Sequence, residues 1–146
     1  MRKINYIVVH CSATREGCPF PSEVLEAEHR RRGFRTTGYH YYIRRDGTVL
    51  GTRSLELPGA HCRGHNKYSI GICYEGGLDA RGNPKDTRTP EQRSALHLLV
   101  YQLLQQFRNA RVCGHRDLSP DLDGDGTVEP WEWVKQCPCF EVSKEF

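Results

Sequence analysis

Four soft donors stand out in this chain of 146 residues: His10 after Ile7-Val8-Val9, His115 after Arg111-Val112-Cys113-Gly114, and two cysteines in Lys135-Gln136-Cys137-Pro138-Cys139-Phe140. Imidazole nitrogen and thiolate sulfur are preferred ligands of zinc, and a catalytic zinc keeps three protein ligands and one open position. We therefore read His10, His115 and Cys137 as the ligands of one Zn2+. Cys139 is a rival sulfur. If both cysteines and both histidines bound, the site would be closed and structural. Two neutral imidazoles and one thiolate leave zinc a net charge of about +1, so it stays Lewis acidic and supplies a water that ionises near neutrality. Such a centre suits hydrolysis of an amide, whose tetrahedral oxyanion needs a further donor. Lys135, two residues before Cys137, and a tyrosine from Tyr39-His40-Tyr41-Tyr42 are the candidates. Strand alternation puts Tyr39 and Tyr41 on one face and His40 and Tyr42 on the other, and does not choose between them.

Asp121-Leu122-Asp123-Gly124-Asp125-Gly126-Thr127-Val128-Glu129-Pro130-Trp131-Glu132 matches a calcium loop, with Asp at positions one, three and five, Gly at six and Glu at twelve. Asp121, Asp123, Asp125 and Glu132 would then hold a structural Ca2+ and fix the path from His115 to Cys137. Against this, Ser119-Pro120 breaks any helix before the loop. The competing expectation is an acidic turn capping a short helix over Glu129 to Val134. His61 and His65 lie in a loop, Pro58 to Asn66, where a four-residue spacing does not make a helical metal pair. His61 and Asn66 are read as substrate contacts.

The elements that must position these groups are legible from periodicity. Ile4 to Val9, Tyr39 to Ile43, Val49-Leu50, Ser69 to Tyr74 and Arg111 to Gly114 are short apolar, β-branched or aromatic runs and predict strands. Asp46-Gly47 predicts a hairpin turn. Ser22 predicts the N-cap of a helix to about Arg32, closed by Gly33. Arg30, Arg31 and Arg32 fall in its last turn, where cations suit the helix dipole. Thr89-Pro90-Glu91-Gln92 is a capping box opening a helix to about Arg108. Its Leu96, Leu99, Val100, Leu103, Leu104 and Phe107 form one apolar face, beside which His97 is structural. His10 then stands at the carboxyl edge of a sheet, where ligands gather in open α/β sheets.

The length fits one domain over 1–146, with 121–132 as an acidic insert, acting as a monomer. A net charge of +3 is too mild for a nucleic-acid partner and compatible with an anionic wall or glycan. The apolar run at the N-terminus stops after Val9, so neither a signal peptide nor a membrane span is expected. Seven cysteines, an odd number, fit synthesis in the cytoplasm with thiols free or on metal.

Taken together, VVHCSAT at 8–14, GYHYYIRRDGTV at 38–49, PGAHCRGHNKYSIGIC at 58–73, TPEQ at 89–92, GHRDLSP at 114–120 and KQCPCF at 135–140 resemble the zinc-dependent N-acetylmuramoyl-L-alanine amidases of the amidase type 2 family. The likeness is to the amidase-type phage lysozymes and the related peptidoglycan recognition proteins. The resemblance implies an α/β fold with a central mixed β-sheet of about five to six strands flanked by helices and a zinc cleft on one face. It implies zinc at His10, His115 and Cys137, assistance from Tyr39 and Lys135, and cleavage between the lactyl group of N-acetylmuramic acid and L-alanine of peptidoglycan. The wall-recycling branch has glutamate where this chain has Cys73, so the tyrosine-lysine branch fits better. The enzyme would act on the cell wall after phage-type release or delivery as an effector. A non-catalytic peptidoglycan-binding module and a metal-stabilised structural protein are the rival expectations.

Overall fold

The computed structural model describes residues 2–146. Its elements run β1 (Tyr6–Cys11), β2 (Thr14–Arg15), α1 (Ser22–Arg31), β3 (Tyr41–Ile43), β4 (Val49–Gly51), β5 (Ser69–Tyr74), β6 (Gly77–Leu78), α2 (Pro90–Gln106) and β7 (Arg111–Gly114), joined by short 3-10 turns. Five strands make one mixed sheet in the order β4-β3-β5-β1-β7, and β2 pairs with β6 beside it. β1 runs parallel to both β5 and β7, with His10 opposite Cys73 and Val9 opposite both Ile72 and Gly114. β3 is parallel to β5, and the Asp46-Gly47 hairpin returns β4 antiparallel to β3.

Alternation sorts the buried strands onto two faces. Ile7, Val9, Ile43, Ile70, Ile72 and Tyr74 pack against Leu96, Leu99, Val100 and Leu103 of α2. On the other face Tyr42 and Cys73 pack against Leu25 of α1. His10, next to Val9 in β1, faces away from α2, on the side that α1 covers in part. Because helices shield both faces, β1 and β5 are almost wholly buried, which explains why they read as apolar runs.

The capping box at Thr89 forms as its sequence predicts: Thr89 Oγ1 accepts the Gln92 N–H at 3.1 Å, and Gln92 Oε1 accepts the Thr89 N–H at 3.0 Å. Four expectations are corrected. The N-cap of α1 is Pro21, with Ser22 already inside the helix. β1 continues two residues beyond Val9, because its pairing with β5 extends to Cys11 and Tyr74. Over Glu129 to Val134 only the turn Pro130–Glu132 is helical, since Pro130 starts it and the chain is extended again at Trp133. Finally, β3 starts at Tyr41, so alternation does not reach back to Tyr39. Tyr39 packs with Tyr42 on the α1 face, while Tyr41 packs on the α2 face.

Candidate active site

Three loops meet above the α1 face of the sheet. The first follows β7, where the turn His115–Leu118 begins directly after Gly114. The second is the segment carrying Cys137. They are bound together: the Arg116 N–H donates to the Cys137 carbonyl at 2.9 Å, and Pro138 packs against Gly114. A Cβ at Gly114 would lie 2.7 Å from Pro138 Cδ, so only glycine allows this approach. The third loop carries His61. Its Ala60 N–H donates to the Gly38 carbonyl at 3.0 Å, which ties it to the segment bearing Tyr39.

These contacts bring ligand atoms of His10, His115 and Cys137 within 4.8 Å of one another. The His10 and His115 ring centroids are 4.6 Å apart. The Cys11 backbone N–H donates to Cys137 Sγ at 3.2 Å. Cys139 points elsewhere. Its backbone sits at φ 71°, and its Sγ donates to the Gly77 carbonyl at 3.3 Å. Among the described residues, Cys137 and not Cys139 joins the two histidines. Three mutually close donors of this kind, two nitrogens and one sulfur, fit a zinc ion with a vacant fourth position.

Burial, and then the nearby His61 and His115 rings, hold the His10 pKa well below the ordinary histidine value. A neutral imidazole is the form that ligates metal. Tyr39 lies over the same pocket, its ring centroid 5.1 Å from that of His10. Burial beside Cys73 and Cys137 pushes its hydroxyl well above the usual tyrosine range, so it is a proton donor at neutral pH. Cys73 itself is wholly buried beneath Tyr39. Lys135 is exposed and lines this pocket as well as a neighbouring groove lined by Arg63, His65 and Val134.

His61 is turned inward. Its Nδ1 lies 2.8 Å from His10 Nε2, and its Nε2 lies 3.1 Å from Ser69 Oγ. Asn66 Oδ1 accepts the N–H groups of His61 and Cys62 at 3.0 and 2.9 Å, so its carbonyl oxygen holds the His61 loop. His65 lies apart from the donors and packs edge-on against Tyr6. Arg30 and Arg31 pair with Glu26 and Glu28, whereas Arg32 reaches the pocket wall.

Two residues of the site left no clear mark in the sequence. His29, buried on α1, accepts the Gly38 N–H at 2.7 Å and so fixes the segment bearing Tyr39. Ser69, the first residue of β5, supports His61. An apolar-stripe reading of α1 passes over a histidine, and a strand-end serine is common.

The acidic insert folds back on itself. Oxygens of Asp121, Asp123 and Glu132 form one close group, and those of Asp123, Asp125 and Glu129 another. Asp121 accepts the N–H groups of Gly124 and Gly126, at 3.0 and 2.7 Å, and buried Glu132 accepts those of Leu122, Asp123 and Glu129. Shared hydrogen bonds with Glu132 and Asp125 push the Glu129 carboxyl up to about 8. The carboxylates act here as turn caps, and the expectation of calcium gains no support.

Comparison with known proteins points one way. Residues 1–138 match the family described as N-acetylmuramoyl-L-alanine amidase, Amidase_2. An uncharacterized protein of Haemophilus influenzae is 47% identical over 97 residues, 66% of this chain and 84% of its own. The endolysin of Klebsiella phage KP32 is 35% identical over 143 residues, 98% of this chain and 85% of its own. The solved N-acetylmuramoyl-L-alanine amidase LysC of Clostridium intestinale superposes with a TM-score of 0.75 at 26% identity, covering 99% of this chain and 82% of that one. With a family match across nearly the whole chain, and a fold and donor cluster that agree with it, the chain belongs to the Amidase_2 family of N-acetylmuramoyl-L-alanine amidases.

Proposed function

We propose that this chain is a zinc-dependent hydrolase of peptidoglycan that cuts the amide between the lactyl group of N-acetylmuramic acid and the L-alanine of the stem peptide. The observation that carries the reading is the convergence of His10, His115 and Cys137 at the end of a groove also lined by Lys135. His10, His115 and Cys137 would hold the ion, which when bound supplies Lewis acidity and a water that ionises near neutrality. The chain's own groups do the rest. The Cys11 N–H holds the Cys137 sulfur in place, and the buried Tyr39 hydroxyl and the exposed Lys135 ammonium donate to the oxygen on which charge develops. The groove of ≈ 580 Å³ past Arg63, His65 and Val134 has room for a stem peptide.

The endolysin relatives support a substrate in the bacterial wall, reached after phage-type release. Among the described residues no helix is long and apolar enough to cross a membrane. One chain supplies every residue of the site, so a monomer suffices. The binding-module reading ranks second, because all three ligands and both assisting residues are present. Mass spectrometry of a muropeptide digest tests the assignment. Zinc-loaded protein should release stem peptides with free L-alanine amino termini, and a chelator should stop it. Intact muropeptides after incubation with zinc-loaded protein would refute it.

A further inference from the structure

The polar contacts of His61 form a single file: Ser69 Oγ, then His61 Nε2 at 3.1 Å, then His61 Nδ1 to His10 Nε2 at 2.8 Å. The ring is gripped on two sides. A Cβ at Gly59 would lie 2.4 Å from His61 Cδ2, and one at Gly71 would lie 2.7 Å from the same atom. Asn66 Oδ1 accepts the backbone N–H of His61 and so holds it in place. The His10 and His61 ring planes meet at 87° with centroids 4.8 Å apart. Such close fixation of a second histidine behind a ligand is more than a core contact requires.

We propose that His61 is a positioning residue that sets the tautomer of His10, placing the proton on Nε2 so that Nδ1 presents its lone pair to the metal. The inference rests on the zinc reading above and deepens it. Two neutral rings 2.8 Å apart share one proton across the contact, and there are two arrangements. In the first, His10 Nε2–H donates to His61 Nδ1, and His61 Nε2–H donates on to Ser69 Oγ. His10 Nδ1 is then bare. In the second, His61 Nδ1–H donates to His10 Nε2, and His10 carries its proton on Nδ1. That leaves no free lone pair on His10, since one nitrogen is protonated and the other already accepts a hydrogen bond. Only the first arrangement makes His10 a ligand. A ligating histidine generally donates its second N–H to a carboxylate, a carbonyl or water, which fixes ring and tautomer. In this chain a second imidazole takes that part, and its own proton is parked on a buried serine. His61 in this role acts through His10, and its ring also lines the pocket on which the substrate-contact role expected from sequence depends.

Three measurements on the full chain decide it. Long-range proton–nitrogen correlation spectra of the metal-free wild type should show His10 as the Nε2–H tautomer. Zinc affinity, by competition with a chromophoric chelator, should fall about 10–100-fold in His61→Leu, which keeps bulk but removes the acceptor. His61→Asn, whose carbonyl oxygen stands near the Nδ1 position, should recover most of that loss. A His10 proton on Nδ1 in the wild type, or His61→Leu binding zinc as tightly as wild type, would overturn the inference. If wild type takes up no zinc at all, the metal reading itself fails, and that outcome is separate. The spectra need no variant, so a His61 substitution that unfolds the chain does not shield the proposal.

Discussion

At the scale of single residues, the proposed function divides the site into groups that would hold a metal and groups that would act on substrate. Tyr39 and Lys135 border the pocket without joining the donor cluster. Tyr39→Phe and Lys135→Ala should therefore retain zinc while turnover drops by roughly 10²–10³, the usual cost of one oxyanion donor. Metal content and the rate of muropeptide cleavage, measured on the same sample, check this; loss of zinc in either variant would contradict the assignment. Cys139 bonds to the Gly77 carbonyl and lies outside the donor cluster. Cys139→Ser should keep a full complement of zinc and near wild-type cleavage, whereas Cys137→Ser should lose both. The sequence alone could not choose between the two thiols, because Cys-Pro-Cys spacing says nothing of direction; the backbone at Cys139 makes the choice. The contact of His61 with His10 is illegible in the sequence for a related reason. A histidine in a glycine-rich loop looks like a group offered to substrate, and only the folded chain turns it onto His10.

At the scale of elements, the strands and the capped helix α2 were legible because each is a local pattern with one solution. β1 and β5 carry mostly apolar, buried runs, and Thr89-Pro90-Glu91-Gln92 specifies a helix start. The irregular backbone over 36–40 carries no such pattern, so strand alternation does not apply to Tyr39, which packs on the face opposite Tyr41. The acidic insert shows a second limit: its spacing was read correctly, yet the same carboxylates serve as caps for backbone N–H groups. The contact between β7 and the Cys137 segment depends on Gly114. Gly114→Ala would press its methyl on Pro138 and Val142, and overpacking of this kind costs about 1–3 kcal/mol. We expect a lower Tm together with weaker zinc retention, since His115 and Cys137 lie on the two segments forced apart. A Gly114→Ala protein with wild-type zinc affinity would show that the approach does not matter to the site.

At the scale of the whole molecule, the site is assembled from chain ends, and the sheet makes that possible: β1 sits between β5 and β7, so positions 10 and 115 become neighbours. The same burial that builds the site gives the fold a pH signature. Burial holds His40 at about 4 and His61 at about 3, with His10 also well below its ordinary value. In the unfolded chain these rings titrate near about 6.5. Their folded values are depressed, so stability is fully present above the unfolded pKa and is lost as pH falls below it, because the unfolded chain binds protons that the fold refuses. The Tm of the metal-free protein should therefore decline steadily from about pH 6.5 to about pH 4. A flat profile over that window would mean that the three rings are not buried as neutral groups.

The central claim, one zinc on two imidazoles and a single thiolate with one position left open, is tested most directly by zinc K-edge X-ray absorption on the purified protein. The account predicts one zinc per chain, two nitrogen scatterers at about 2.0–2.1 Å, one sulfur at about 2.3 Å and one further light atom. Two sulfurs at bonding distance, or no bound zinc, would contradict it.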